Sequence, residues 1–274
     1  MKKMSVFITI LFATFSLTAQ NLAVNTANKA NASKASAKKT MAWTSKSDAA
    51  KELANEATKH LMNVEQQLAY EKFASALKLD PDFTVALTFM SNLTRGEVRQ
   101  KYAEKALKSA KNKTEGEKLF SSLVDPAGTA DTRRETWDKL HTLFPDGGMI
   151  GHFYVVTRKT QEERFAAAQE YIKQFPDNAA MHNTIAYYYM MDKKDMASAK
   201  KHFDKYLALH PDGPNAYDSM AEYYLLNGDK ENSKKYYTMA LEKYPFFNSS
   251  VNALDKMAEE EKKMATPKAE EKVQ

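Results

Sequence analysis

A proline recurs at nearly constant spacing along most of this chain, and that period limits the possible folds more than any other feature. The prolines stand in the contexts LDPD, FPDG, FPDN, HPDG and YPFF, at Pro81, Pro145, Pro176, Pro211 and Pro245. The last three intervals are 31, 35 and 34 residues, and the first is twice 32. A period near 34 residues is the length of two helices with their turns, and proline cannot continue a helix. The spacing predicts stacked helix pairs.

The composition favours helices over strands. Only 8 glycines and 8 prolines punctuate the chain, too few for a sheet-rich fold with many turns. The spacing of apolar residues predicts helices over 49–61, 66–79, 82–93, 95–111, 114–123, 131–143, 148–157, 160–174, 178–190, 195–209, 213–226 and 229–243. A last helix, 248–264, turns polar along its length, as expected for the end of a stack.

Small and aromatic residues recur at fixed positions inside each period. A small residue lies about twelve positions before the proline and an aromatic residue about eight before it, so both face one side of a helix. The pair 212–245 carries the fullest pattern, with Tyr217, Met220, Ala221, Tyr224, Ser233, Tyr237, Ala240 and Pro245. The pairs that end at Pro211 and Pro81 repeat it with Ile185, Ala186, Tyr189, Ala199, Phe203, Ala69, Phe73 and Ala76.

These residues resemble the tetratricopeptide repeat (TPR) family over about residues 49–245. The resemblance implies an all-α fold, an α-solenoid of about six TPR-like helix pairs with a C-terminal capping helix. The second and fourth pairs are inferred from register. Residues 49–264 are therefore expected to form one superhelical repeat domain.

The two ends of the chain read differently from the repeats. Lys2 and Lys3 precede a twelve-residue, mostly apolar stretch and a small residue at Ala19, the three parts of a secretory signal peptide. Residues 1–19 are predicted to be this signal, which places the protein in the periplasm or outside the cell. Residues 20–48, rich in Asn, Ala, Ser and Lys, predict a flexible spacer, and residues 265–274 a disordered tail.

Charge and cysteine content exclude several classes of function. The formal net charge of +5 is the sum of +6 from the first 48 residues and −1 from residues 255–274, whereas residues 49–254 sum to zero. A nucleic-acid-binding domain would carry its surplus of Lys and Arg on the folded part, so no nucleic-acid partner is predicted. The chain has no cysteine, which excludes disulfides and thiolate metal sites.

No catalytic or cofactor motif is present. The six histidines show neither HExxH nor any i, i+4 pair, and the sequence has no Walker-type loop, GxGxxG or GxSxG. We therefore predict no catalysis, no cofactor and no metal. The aromatic doublets and the triplet at Tyr187–Tyr189 are interpreted mainly as packing residues.

The resemblance also points to a place for a partner. In such stacks the first helix of each pair lines the concave side. Positions offset from the packing face are Phe83, Met90, Met149, Phe153, Asn183, Tyr187, Met190, Asp218 and Glu222. The resulting hypothesis is an exported scaffold that binds a protein or peptide segment in this groove. A glycan-binding module that uses Phe153 and Tyr187, or a glycan-acting hydrolase on the same frame, is the alternative.

Overall fold

The helices follow the predicted period. The structure, a computed structural model, describes residues 38–265, and those from Lys39 onward belong to one compact unit. In this range the chain forms thirteen α-helices and no strand. They are α1 (Asp48–Met62), α2 (Gln66–Leu79), α3 (Thr84–Leu93), α4 (Gly96–Ala110), α5 (Glu115–Ser121), α6 (Ala130–Leu143), α7 (Gly148–Val156), α8 (Gln161–Gln174), α9 (Ala179–Tyr187), α10 (Met196–Leu209), α11 (Pro214–Leu226), α12 (Lys230–Lys243) and α13 (Asn248–Ala265). The all-α prediction is confirmed.

Consecutive helices pack in pairs, from α1 with α2 to α11 with α12, and α13 packs on α12. The predicted core positions are buried: Ala199 and Phe203 of α10 are fully inaccessible, as are Ala69 and Phe73 of α2. The small residue allows the neighbouring helix to approach closely, and the aromatic ring fills the space beside the small residue. This packing confirms a solenoid of TPR-like helix pairs. In the part of the chain that the structure describes, no helix is both long and apolar enough to cross a bilayer.

One first helix ends earlier than its sequence pattern predicts. Helix α9 stops at Tyr187, and Tyr188–Lys193 form a π-helical turn that ends in a left-handed Lys194. A π-turn accommodates one residue more than an α-helical turn. It therefore absorbs the extra residue of the sequence MDKKD, which exceeds the length expected for the repeat.

Residues 39–47 depart from the predicted flexible spacer. They are extended and hydrogen-bonded to helix starts far along the chain, and α1 begins directly after them. We call residues 39–47 the docked segment. The predicted signal peptide, the spacer up to residue 37 and the tail from residue 266 lie outside the described residues.

Candidate functional site

The nine predicted groove residues lie on the first helices or at their ends, but they are unequally accessible. Five are buried, namely Phe83, Met90, Asn183, Met190 and Asp218. Four are half-buried, namely Met149, Phe153, Tyr187 and Glu222. A partner would touch only these four in this arrangement, so partner binding at the set stays a prediction. The burial has one cause in the N-terminal half of the stack, α1 to α7, and another in the C-terminal half, α9 to α13.

In the N-terminal half, aromatic rings fill the inner side. Phe153 stacks on Trp137 with ring centroids 5.1 Å apart, and its ring lies 5.7 Å from that of Phe89. Phe89 in turn stacks on Phe73 at 5.0 Å. These rings belong to one continuous apolar core that extends from α1 to α7. Phe153 is thus engaged in packing and offers no free platform for a sugar ring.

In the C-terminal half, hydroxyl groups and carboxylates join the first helices. The Tyr187 hydroxyl of α9 donates to Glu222 Oε2 of α11 at 2.5 Å. Burial, with the negative charge of Glu222 beside it, holds the pKa of Tyr187 well above its usual value. The ring also meets Phe203 edge-on, with centroids 5.3 Å apart. Tyr187 therefore connects the helix pair that begins with α9 to the pair that begins with α11.

Asp218 makes the next connection along the stack. Its carboxylate accepts from Ser250 Oγ at 2.6 Å and from Ser249 Oγ at 3.0 Å, both at the start of α13. Burial raises the pKa of Asp218 to about 6. Asp218 and Glu222 lie one turn apart on α11, side by side, whereas glycoside hydrolysis needs two carboxyl groups on opposite sides of the bond. The hydrolase alternative is therefore not favoured.

The docked segment crosses the starts of three first helices. Thr44 donates its backbone N–H and its hydroxyl to Glu117 of α5, each at 2.9 Å. Ser45 Oγ and the Lys46 N–H donate to Asp80 Oδ2, just before α3, at 2.6 and 3.0 Å. The Lys39 N–H donates to Asp146 Oδ2, just before α7, at 2.8 Å, and the Asp146 N–H returns a bond to the Lys39 carbonyl. The segment thus runs against the order of the repeats.

Two apolar side chains anchor the docked segment between these polar contacts. Met41 is 8% exposed, and its side chain lies beside Gly116, where an added Cβ would come within 3 Å of both Met41 and Phe144. Trp43 meets Phe83 edge-on at 6.2 Å. Gly116 therefore makes room for the methionine, and Phe83 is buried because the tryptophan covers it.

An open cavity remains beside the docked segment. It has a volume of about 350 Å³ and lies between the segment, α1 and the start of α7. Met149 lines it, together with Met41, Trp43, Lys51 and Asn55. This size falls within the range of small-ligand and side-chain pockets. It is one part of the predicted groove that the described residues leave unfilled; another open cavity, of about 260 Å³, lies beside Tyr187.

A second long-range contact joins the first pair to the fifth. The buried Glu65 carboxylate lies between His60 Nδ1, at 2.6 Å, and His210 Nε2, at 2.9 Å. Burial raises the pKa of Glu65, but hydrogen bonds from His210 and His60 outweigh it and leave the pKa below its usual value. Gly213 has no space for a Cβ beside His210. We call Glu65, His60 and His210 the seam.

Sequence reasoning missed both long-range contacts, although signals for the first were present. Thr114 and Glu117 form a capping box at the start of α5, a pattern visible in the sequence. Met41 and Trp43 are the large apolar residues of an otherwise small and polar stretch. The seam had no such signal, because its members are 145 positions apart and only the curvature of the stack brings them together.

Comparisons with known proteins return solved structures of low sequence identity to this chain. No protein-family model matches it, and no curated protein matches it either. PilW, a widely conserved type IV pilus biogenesis factor, is 13% identical over 76% of this chain and 99% of its own, with a TM-score of 0.45.

Two further solved structures show the same level of similarity. TTC0263, a thermophilic TPR protein of Thermus thermophilus, is 18% identical over 76% of this chain and 98% of its own, with a TM-score of 0.36. The APC/C hetero-tetramer Cut9–Hcn1 is 16% identical over 76% of this chain and 42% of its own, with a TM-score of 0.47. The TPR-like, all-α fold of this chain rests on its own helix pairs and on their buried small and aromatic positions.

Proposed function

We propose that this protein is an exported scaffold that binds an extended segment of another protein at the starts of its first helices, without catalysing a reaction. One observation carries the proposal: the stack already holds an extended stretch of chain there, through three carboxylates and two apolar anchors. Extended segments bind proteins through main-chain donors plus pockets for alternate side chains. The docked segment is held in this way.

The cavity beside the docked segment supplies the contact area that a partner needs. Met149 and Ile150 make one wall apolar, and Lys51 and Asn55 of α1 provide polar groups at the rim. A thioether wall adapts to different side chains. The partner's segment is expected to lie along this wall, against α7.

A displayed peptide library tests the binding function. Peptides selected on the purified protein are titrated against Met149→Lys, which fills the cavity with a charged chain, and against Met264→Lys as the matched control at an exposed methionine of α13. At least a tenfold loss of affinity for Met149→Lys, with no loss for Met264→Lys, supports the proposal. Equal affinities for the two variants, or no selected peptide, would contradict it.

Export is tested separately by the N-terminal sequence of the mature protein. The full chain is expressed in a bacterium, and the protein is isolated from the cell envelope and the medium. A first residue of Gln20 supports cleavage after Ala19 by signal peptidase. Protein that stays in the cytoplasm with its first 19 residues attached would contradict export.

A further inference from the structure

The docked segment has the features of a bound ligand rather than of a structural strand. It has no secondary-structure partner of its own, and its polar contacts are made almost entirely with side chains of the stack. The Lys113 ammonium also donates to the Thr44 carbonyl, at 3.2 Å. The segment therefore depends on a site whose groups would recognise any chain of the same pattern.

The site specifies the chemistry of that pattern. Asp80, Glu117 and Asp146 all accept hydrogen bonds, so a bound chain must present N–H and hydroxyl donors to them. An acidic side chain opposite these carboxylates would be repelled. The docked segment fits this requirement, since it presents the backbone N–H groups of Lys39 and Lys46 and has no acid between residues 39 and 47.

Two pockets fix the spacing of the side chains. The space over Gly116 takes an unbranched apolar residue, and the face of Phe83 takes an aromatic residue two positions later. Hydroxyl residues follow directly, at Thr44 and Ser45. The pattern is apolar, any residue, aromatic, hydroxyl, hydroxyl.

We infer that residues 39–47 are a replaceable self-ligand, and that the partner of this protein is an extended protein segment with the same pattern and no acidic residue, which binds when the docked segment leaves. The inference rests on the proposed function. It adds that the docked segment regulates partner binding, and it specifies the chemistry of the partner. In the resting protein the docked segment occupies the site. The partner therefore competes with a segment of the same chain, which is present at high effective concentration.

Weakening the docked segment without changing its site provides the test. The probe is a fluorescein-labelled peptide with the sequence of residues 38–48, and protein purified after expression of the full chain is titrated with it. Met41→Ala with Trp43→Ala removes both anchors, and Ala42→Ser is the matched control at an exposed position of the same segment. We expect the double variant to bind the peptide at least tenfold more tightly than the wild type or the control.

A further variant keeps the test decisive if the double variant is not helical. Thr44→Ala keeps both anchors and should give a smaller gain in the same direction. A scrambled peptide should not bind any form. Equal binding to wild type and Thr44→Ala, or no binding to either, would overturn the inference. If library peptides still bind at Met149, the proposed function survives that result.

Discussion

The two halves of the stack close their inner side by different means. From α1 to α7 the first helices share one apolar core, in which Phe89 alone contacts three other aromatic rings. From α9 to α13 the apolar clusters are smaller and separate, and hydroxyl–carboxylate bonds connect one pair to the next. The same repeat therefore yields a half held by burial and a half held partly by ionisable groups.

This difference has a consequence for binding. An apolar inner side can be covered by another segment of chain, as Trp43 and Met41 cover Phe83 and Gly116. An inner side joined by Tyr187, Glu222 and Asp218 has already used its polar groups on itself. Under the proposed function, the N-terminal half is therefore the half expected to accept a ligand.

The largest expected effect is in the shared core of the N-terminal half. Phe89→Ala removes a ring that is 2% exposed, and we expect it to lower the free energy of unfolding by about 3–5 kcal/mol. Phe246→Ala, at a ring that is 71% exposed, is the control and should change it by less than about 0.5 kcal/mol. Urea unfolding followed by far-UV circular dichroism measures both. Similar losses of unfolding free energy for the two variants would contradict the claim that the shared apolar core stabilises the N-terminal half.

The seam should be the next most sensitive position, because it joins the two halves. Glu65→Gln replaces a buried carboxylate that two histidines contact, and we expect a loss of about 2–3 kcal/mol at pH 7. The pKa of Glu65 is held below its usual value, so this contribution is present above about pH 4.5 and is lost as the pH falls through the lowered pKa. Glu52→Gln, on the exposed side of α1, is the control. Equal stabilities at pH 7 would show that the seam contributes nothing.

Asp218 should show the opposite dependence on pH. Its pKa of about 6 lies above the ordinary 3.8, so the folded state holds the proton more tightly, and stability falls as the pH rises from about 4 to 6. Asp218→Asn should therefore raise stability at pH 7 by about 1–2 kcal/mol and flatten this part of the profile. Asp204→Asn, on the exposed face of α10, should leave the profile unchanged. A destabilised Asn variant with the wild-type slope would contradict the assignment.

The smallest expected effect is in the pair with the fullest repeat pattern. Ser233 stands at a small-residue position of α12 and is fully buried, and its hydroxyl has no hydrogen-bond partner among residues 38–265. Ser233→Ala removes an unpaired polar group without changing the packing, so we expect a gain of about 0.5–1 kcal/mol. Ser198→Ala, at the N-terminal turn of α10, is the comparison. A loss of stability in Ser233→Ala would indicate a hydroxyl contact.

The sequence predicted local features well, because they depend on short-range rules. The period and the buried positions such as Ala199 and Phe203 both follow from neighbours within one or two turns. It did not predict the docked segment or the seam, because both depend on how tightly the stack curves. The curvature of the stack is the sum of small rotations between successive helix pairs. No short sequence motif determines that sum.

Native-state hydrogen exchange of the docked segment tests the central claim most directly. The account predicts that the N–H groups of Thr44 and Lys46, which bond to Glu117 and Asp80, exchange through a local opening that urea does not accelerate, while amides in α3 exchange only by global unfolding. Adding the peptide of residues 38–48 should speed exchange at Thr44, Lys46 and the Lys39 N–H of the docked segment, and should leave the amides of α3 unchanged. If the Thr44 and Lys46 amides exchange only with the whole stack, the segment is a fixed part of the fold, and the claim that a partner can replace it is contradicted.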